Sequence, residues 1–136
     1  MTDDIVIIIV QNSQNELYVH QRMDDKEVFP SLYGLGAGGK VDSGETPQDA
    51  APRELREELQ LEAGLEKLFD FPFDHPEACY TVNVFRARHD GNLTPCKREF
   101  QWTGWMPVKD IDTLAIEGKL CPDTKIAYER FKLEYL

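Results

Sequence analysis

The sequence predicts an α/β (α+β) protein in which helices cover one mixed β-sheet. The order of the elements predicts the class, and the length predicts the number of domains. The candidate elements follow the order strand, strand, strand, helix, strands, helices, which differs from the regular alternation of a doubly wound parallel sheet. The length of 136 residues suits one domain, residues 1–136, because a chain of this size can bury a sufficient core without disulfides or metals.

The first strands are predicted from their side-chain patterns. Residues 5–10 (IVIIIV) are β-branched throughout, and residues 16–22 (ELYVHQR) alternate after the polar segment 11–15, so the two should pair through a short turn. Residues 23–30 carry charges and end in proline, which predicts a loop. Residues 34–41 (GLGAGGKV) contain too much glycine to be a strand by propensity alone. These glycines indicate a close backbone approach or positive φ angles.

A helix is predicted to begin at Pro47 and to end near Leu59. Thr46 is the expected N-cap, and Pro47 suits the first helical position because its missing amide has no intrahelical partner there. Apolar residues recur every four positions and form the predicted buried stripe, namely Ala51, Leu55 and Leu59. Pro52 lacks the amide that would bond to the carbonyl of Gln48, so we expect a local kink or a delayed start.

The second half of the chain adds three strands and two helices to the prediction. The strands are expected at residues 66–71, 79–88 and 99–106. The helices are expected at residues 108–114 and 123–136, with Asp123 or Thr124 as the cap of the second.

The charge balance excludes two classes of partner. With 25 acidic and 15 basic residues, the net charge of −10 repels both a nucleic-acid backbone and an anionic membrane surface. The apolar run at residues 5–10 is also too short to span a membrane. Cys79, Cys96 and Cys121 show neither CxxC spacing nor a disulfide framework, which fits a reducing cytoplasm.

Three glutamates crowd one side of the predicted helix. Glu54 and Glu58 are one turn apart, and Glu57 is three residues from Glu54. Taken alone, this pattern is most simply a solvated face with pairs such as Arg53 to Glu57, each worth ~0.2–0.5 kcal/mol. The alternative is a divalent-metal site, because Mg²⁺ prefers carboxylate and carbonyl oxygens. A glycine-rich strand end and an acidic loop precede this helix, and this context favours the metal.

Residues 39–61, GKVDSGETPQDAAPRELREELQL, resemble the Nudix box of the Nudix hydrolase superfamily. The matching positions are Gly39, Glu45, Arg53, Glu54, Leu55, Glu57, Glu58 and Leu61. Gln60 stands where the family usually has glycine, which puts the helix C-terminus in question because glycine supplies a left-handed conformation there. The resemblance covers nearly the whole chain. It implies the Nudix fold, an α/β/α sandwich with a mixed β-sheet.

By resemblance, the protein is expected to be a hydrolase that cleaves a pyrophosphate bond with Mg²⁺ (or Mn²⁺) as cofactor. Glu57 and Glu58 would be the principal metal ligands, with Glu54 as a further ligand or the base. The carbonyl of Gly39 would complete the shell, and Glu99 is a further candidate on the strand that ends near a tryptophan. Such metal ions neutralise diphosphate charge and lower the pKa of a bound water.

Other residues are expected to support the site or to bind substrate. The resemblance implies that Glu45 and Arg53 pair to brace the loop against the helix. Candidates for phosphate contact are Arg22 and Lys26. Candidates for stacking on a base are Phe29, Tyr33 and Trp102. No role is assigned to the histidines, because they stand apart in the sequence.

Two competing interpretations concern the reaction. Residues 20–34 (HQRMDDKEVFPSLYG) resemble the isopentenyl-diphosphate isomerase branch of the superfamily. An isomerase would need a catalytic cysteine and a metal-binding histidine where this chain has Gly38 and Lys40, so the resemblance favours a hydrolase of the isomerase-like subgroup. The other interpretation is a non-catalytic Nudix-like module that senses a nucleotide or binds a protein. Such modules commonly lose box carboxylates, whereas this chain keeps Glu45 and the helix glutamates.

The substrate is the least determined feature. The box implies metal and diphosphate chemistry, while selectivity depends on variable loops. We expect a small-molecule substrate with a nucleoside-diphosphate linkage, no nucleic-acid polymer and no membrane partner. Homodimers are common in the family, so a homodimer is also among the expectations.

Overall fold

The computed structural model describes residues 3–136, and this part of the chain forms seven strands and three helices. The elements are β1 (Asp3–Gln11), β2 (Leu17–Arg22), β3 (Tyr33–Leu35), β4 (Ala37–Lys40), α1 (Pro47–Leu59), β5 (Leu65–His75), β6 (Ala78–Arg88), β7 (Phe100–Met106), α2 (Val108–Ile116) and α3 (Pro122–Tyr135). None of the helices in this part of the chain is long and apolar enough to cross a membrane.

The sheet is mixed, and β1 lies at its centre. β6 runs parallel to β1 along the whole of that strand, whereas β4 pairs with residues 5–8 of β1 in the antiparallel sense. β5 is antiparallel to β6. On the other side, β2 follows β1 through a hairpin and pairs in turn with β3 and β7. This arrangement confirms the predicted mixed sheet.

Helices cover both faces of the sheet, which makes the α/β/α sandwich. Val6, Ile8 and Val10 of β1 face α1 and belong to one core cluster with Leu55 and Leu59. The alternate residues of β1, Ile7 and Ile9, belong to the second cluster, which includes residues of α2 and α3. Because β1 is buried on both faces, all of its central residues are apolar, as the sequence shows.

The glycine-rich segment forms two short strands separated at Gly36. This residue has φ of 55°, and a Cβ on it would lie 1.8 Å from the carbonyl oxygen of Ile8. At this point the chain leaves its pairing with β2 and begins to pair with β1. Propensity alone does not predict these two strands, although the predicted element order has one strand before the helix. The expected positive φ and close backbone approach are both present at Gly36.

Helix α1 begins at Pro47 and continues through Pro52 to Leu59. Of the two alternatives expected from Pro52, the delayed start is wrong, and the local kink stays a prediction. Thr46 and Asp49 form a reciprocal capping box, which satisfies amides of the first turn and stabilises the start of the helix.

The residue that departs from the Nudix box still ends the helix as glycine would. Gln60 takes the left-handed conformation, with φ of 53° and ψ of 37°, and its amide donates to the carbonyl of Arg56. The side-chain Nε2 of Gln60 also donates to the carbonyl of Thr94 at 2.8 Å. The substitution therefore leaves the helix ending in place and ties it to the segment before β7.

Candidate active site

A cleft of about 680 Å³ opens beside α1 and β4. Strands β1 and β2, the loop after β2, the β5–β6 hairpin and the start of α3 also contribute to its wall. Eight of the predicted site residues line this cleft, namely Arg22, Lys26, Phe29, Gly39, Glu54, Glu57, Glu58 and Glu99. The fold therefore brings together residues from four separate parts of the chain.

Two glutamates of α1 lie directly against the backbone of β4. The amide of Gly38 donates to Oε1 of Glu58 at 2.8 Å. A Cβ on Gly39 would lie 2.5 Å from the carboxyl carbon of Glu54, so a larger residue cannot occupy this position without moving that carboxylate. The glycines of β4 therefore allow the carboxylates of α1 to reach the strand.

The environment of these carboxylates is unfavourable for negative charge. Burial raises the pKa of Glu58 to about 8; the Gly38 amide opposes this shift, and the charges of Glu54 and Glu99 add to it. Burial also raises the pKa of Glu54, against the opposing effect of Arg53. Partly buried carboxylates that repel one another are stabilised by a bound cation.

These residues fit a hard divalent cation by the chemistry of their donor atoms. Glu58 and Glu54 supply carboxylate oxygens beside Gly38 and Gly39 respectively, and oxygen ligands are those that Mg²⁺ and Mn²⁺ prefer. Within residues 3–136, no three Asp, Glu, His or Cys side chains are already close enough to cage a metal ion. The carboxylates of Glu57 and Glu99 are more exposed, with 58% and 38% of the side chain accessible.

Arg53 is held by several acceptors around the acidic helix. Its Nε and Nη2 donate to both carboxylate oxygens of Glu45, at 2.7 and 2.9 Å. Its Nη1 donates to Glu54 at 2.8 Å and to Glu57 at 3.2 Å, and Nη2 also donates to the carbonyl of Lys40. Together, the Arg53 guanidinium and the Asp42 amide lower the pKa of Glu45 to about 2. Glu45 and Arg53 thus join the loop, the helix and the end of β4.

Replacing Arg53 by lysine is expected to lower hydrolysis by about ten-fold. Lysine keeps the charge but cannot reproduce the two-pronged bond to Glu45 while also holding Glu54. Steady-state kinetics on purified variants would measure the change. Arg56→Lys, on an exposed position of the same helix, is the matched control. If the two variants have equal activity, the fork of Arg53 does not position Glu54.

The predicted substrate residues are divided between the cleft and its surroundings. Arg22 and Lys26 line the cleft, and Phe29 forms part of its wall while packing edge-on against Phe73. Tyr33 lies outside the lining. Its ring contacts Trp102 edge-on, with the ring centres 6.0 Å apart.

A second polar cluster of the cleft was not expected from the sequence. Asp123 is 6% exposed and accepts hydrogen bonds from the hydroxyl of Tyr80, at 2.6 Å, and from the amide of Thr124, at 2.7 Å. Cys121, rather than Asp123 or Thr124, occupies the N-cap of α3, so the predicted cap was wrong. In the sequence, the pattern Pro122-Asp123-Thr124 is typical of a helix start and predicts only a helix cap.

His20 is a further lining residue to which the sequence assigned no role. Its Nδ1 donates to the carbonyl of Gly36 at 2.8 Å, and its ring stacks on Phe100 with the centres 4.3 Å apart. Burial lowers the pKa of His20 to about 4, although the bond to Gly36 opposes this shift. The ring is therefore neutral at physiological pH and acts as a wall of the cleft.

Acidification is expected to destabilise the protein through His20. Between pH 6.5 and about 4 the unfolded chain binds a proton that the folded ring excludes, so the free energy of unfolding falls as pH falls. The contribution is at most about 1.4 kcal/mol per pH unit in this window. Urea unfolding of the wild type and of His20→Gln between pH 4 and 7.5 would measure it. Parallel pH profiles for the two proteins would contradict this assignment.

The sequence matches the model of the NUDIX domain over residues 1–128. The chain belongs to the Nudix family. A relative from Streptomyces coelicolor, named an uncharacterized Nudix hydrolase, is 33% identical over 131 residues, which cover 93% of this chain and 72% of the relative. An 8-oxo-dGTP diphosphatase of Haemophilus influenzae is 39% identical over 105 residues, covering 76% of this chain and 75% of that protein. The protein is therefore a Nudix pyrophosphohydrolase, an enzyme that acts on phosphorus-containing anhydrides.

Solved structures support the Nudix fold. A Deinococcus radiodurans protein is similar with a TM-score of 0.82 at 25% identity, over 94% of this chain and 82% of that one. The NUDIX domain of Shewanella oneidensis NrtR, complexed with ADP ribose, has a TM-score of 0.81 at 16% identity, over 100% and 90% of the two chains. The second likeness concerns the fold alone.

Proposed function

We propose that this Nudix protein is a metal-dependent hydrolase that cleaves the pyrophosphate bond of a nucleoside-diphosphate-linked or related small molecule. The observation that carries the proposal is the placement of Glu54 and Glu58. Their partly buried carboxylates, with raised pKa values, lie against the glycines of β4 in the wall of the cleft. Carboxylates in such surroundings favour a cation over solvent.

Glu58, Glu54 and the carbonyl of Gly39 would hold the Mg²⁺ or Mn²⁺ ion, with Glu57 and Glu99 as the more exposed candidate ligands. When bound, the ion neutralises diphosphate charge and lowers the pKa of water. The protein's own contribution is to orient these carboxylates, because Arg53 holds Glu54 and the Gly38 amide holds Glu58. Glu54 is also a candidate general base, and burial raises its pKa above the usual value of a glutamate.

The substrate class is inferred from the charges of the cleft and from relatives. With a net charge of −10, the protein needs local cations to bind an anion, and Arg22 and Lys26 both line the cleft. A nucleotide substrate is supported by the Haemophilus relative, whose name specifies 8-oxo-dGTP. Phe29, Tyr33 and Trp102 remain candidates for contact with a base.

The finer assignments remain part of this proposal. The segment at residues 20–34 supports the isomerase-like hydrolase subgroup, and Gly38 and Lys40 argue against isomerisation itself. A cytoplasmic location and a homodimer are predictions of the sequence. The alternative that the sequence leaves open is a non-catalytic Nudix-like module that senses a nucleotide or binds a protein. Sensing would require nucleotide binding without metal-dependent turnover.

A substrate panel tests the proposal. Release of phosphate or nucleoside monophosphate would be measured for nucleoside diphosphates and triphosphates, nucleotide sugars, dinucleotides and isoprenoid diphosphates, with Mg²⁺, Mn²⁺ or chelator. We expect chelator-sensitive turnover of a nucleotide-containing class. Tight nucleotide binding without turnover would instead establish the sensor.

A further inference from the structure

Two side-chain cations lie beside the carboxylates of the cleft, and they are held very differently. Arg53 donates at 3.2 Å or less to Glu45, Glu54, Glu57 and the carbonyl of Lys40. Within residues 3–136, Lys26 has one ion pair, from Nζ to Oε2 of Glu99 at 3.7 Å, and both side chains are more than a third exposed. An exposed ion pair of this length is weak, so Lys26 can change partners where Arg53 cannot.

The charge of Lys26 acts on the same carboxylates that would bind the divalent ion. Its charge lowers the pKa of Glu58, whereas the charge of Glu99 raises it. Lys26 reaches the cleft from the loop after β2, and Glu99 reaches it from the position just before β7. The positive charge of Lys26 therefore partly neutralises the carboxylates of Glu58 and Glu99. A metal ion bound at this site would compete with Lys26 for Glu99.

We propose that Lys26 is an exchangeable counter-ion of this site. It pairs with Glu99 while the metal is absent, loses that partner when a divalent cation binds, and then contacts the phosphate of the incoming diphosphate. This inference rests on the proposed metal-dependent function. It makes Lys26 a substrate-binding residue that couples metal binding to substrate binding.

Opposite effects on two affinities are the signature of this exchange. In the metal-free protein Lys26 competes for Glu99 and repels the cation, so it weakens metal binding. With metal bound, the freed ammonium attracts the substrate, so it strengthens diphosphate binding. A lysine that bound only phosphate, and whose charge did not reach the metal ligands, would leave metal affinity in the substrate-free protein unchanged.

The test compares Lys26→Met with Lys109→Met, which removes the same charge from an exposed position on α2 outside the cleft. Mn²⁺ binding would be measured by electron paramagnetic resonance in the absence of substrate. KM would be measured by steady-state kinetics with the best substrate of the panel. Relative to Lys109→Met, we expect Lys26→Met to bind Mn²⁺ about two- to five-fold more tightly. We expect its KM to rise about ten-fold.

A second comparison separates exchange from general electrostatics. In a Glu99→Gln background the pair no longer exists, so Lys26→Met should tighten Mn²⁺ binding much less than it does alone. If the wild type binds Mn²⁺ but Lys26→Met binds it no more tightly than Lys109→Met, the exchange is overturned while the metal site stands. If the wild type shows no saturable Mn²⁺ binding, the proposed function fails and the exchange with it.

Discussion

Glu58→Gln is expected to lower hydrolysis by about 100- to 10,000-fold while the fold remains intact. The amide side chain removes the charge that would hold the divalent ion, and metal activation supplies several kcal/mol of barrier reduction. Glutamine keeps an oxygen that can accept the 2.8 Å bond from the Gly38 amide. Steady-state kinetics with saturating Mg²⁺ would measure the loss.

The stability of Glu58→Gln provides an independent check. Burial raises the pKa of Glu58 to about 8. Between pH 4.5 and about 8 the unfolded chain has therefore released the Glu58 proton, whereas the folded protein still holds it. The free energy of unfolding of the metal-free wild type falls as pH rises through this window. The glutamine variant should therefore be at least as stable as the wild type at neutral pH without metal. Glu62→Gln, at an exposed position just beyond α1, is the control. A fully active Glu58→Gln would remove Glu58 from the mechanism.

Gly39→Ala is expected to lower hydrolysis by about 100-fold with a much smaller effect on stability. The new methyl group would lie 2.5 Å from the carboxyl carbon of Glu54. Because that carboxylate is the end of a flexible side chain, it can move away and leave the strand in place. A displacement of about 1 Å in a catalytic group can cost about 100-fold in rate.

Gly64→Ala is the matched control for this substitution. Apart from its two chain neighbours, no atom of the described residues lies within 4 Å of a Cβ on Gly64, so alanine fits there without a clash. We expect near wild-type activity for Gly64→Ala, and thermal melting would show both variants folded. If Gly39→Ala retained full activity, the position of Glu54 against β4 would not matter for the reaction.

Local patterns predicted most of the elements. The apolar run of β1, the alternation in β2 and the Thr46-Pro47 start of α1 are encoded in neighbouring residues, and the structure places these elements where they were expected. The spacing of Glu54 and Glu58 along a helix also predicted that both would reach one side. These features depend on the period of a helix or strand, which a sequence displays directly.

Features that depend on tertiary contacts were missed. Asp123 and Tyr80 are 43 residues apart, and no local pattern marks their hydrogen bond, so the sequence predicts only a helix cap at Asp123 or Thr124. The strands on either side of Gly36 have poor propensity, and they form because β2 and β1 are available to pair with them. The proximity of Lys26 to Glu99 likewise follows from the packing of a loop near β7.

The most direct test of the proposed metal-dependent hydrolysis is one chelation experiment on wild-type protein and Glu58→Gln in parallel. Product release from a responsive diphosphate would be followed with Mg²⁺, after addition of chelator, and after restoration of excess Mg²⁺. We expect turnover by the wild type to stop with chelator and to return with Mg²⁺, and the variant to remain nearly inactive throughout. Turnover that persists in chelator, or that is equal in the two proteins, would contradict a metal held by Glu58.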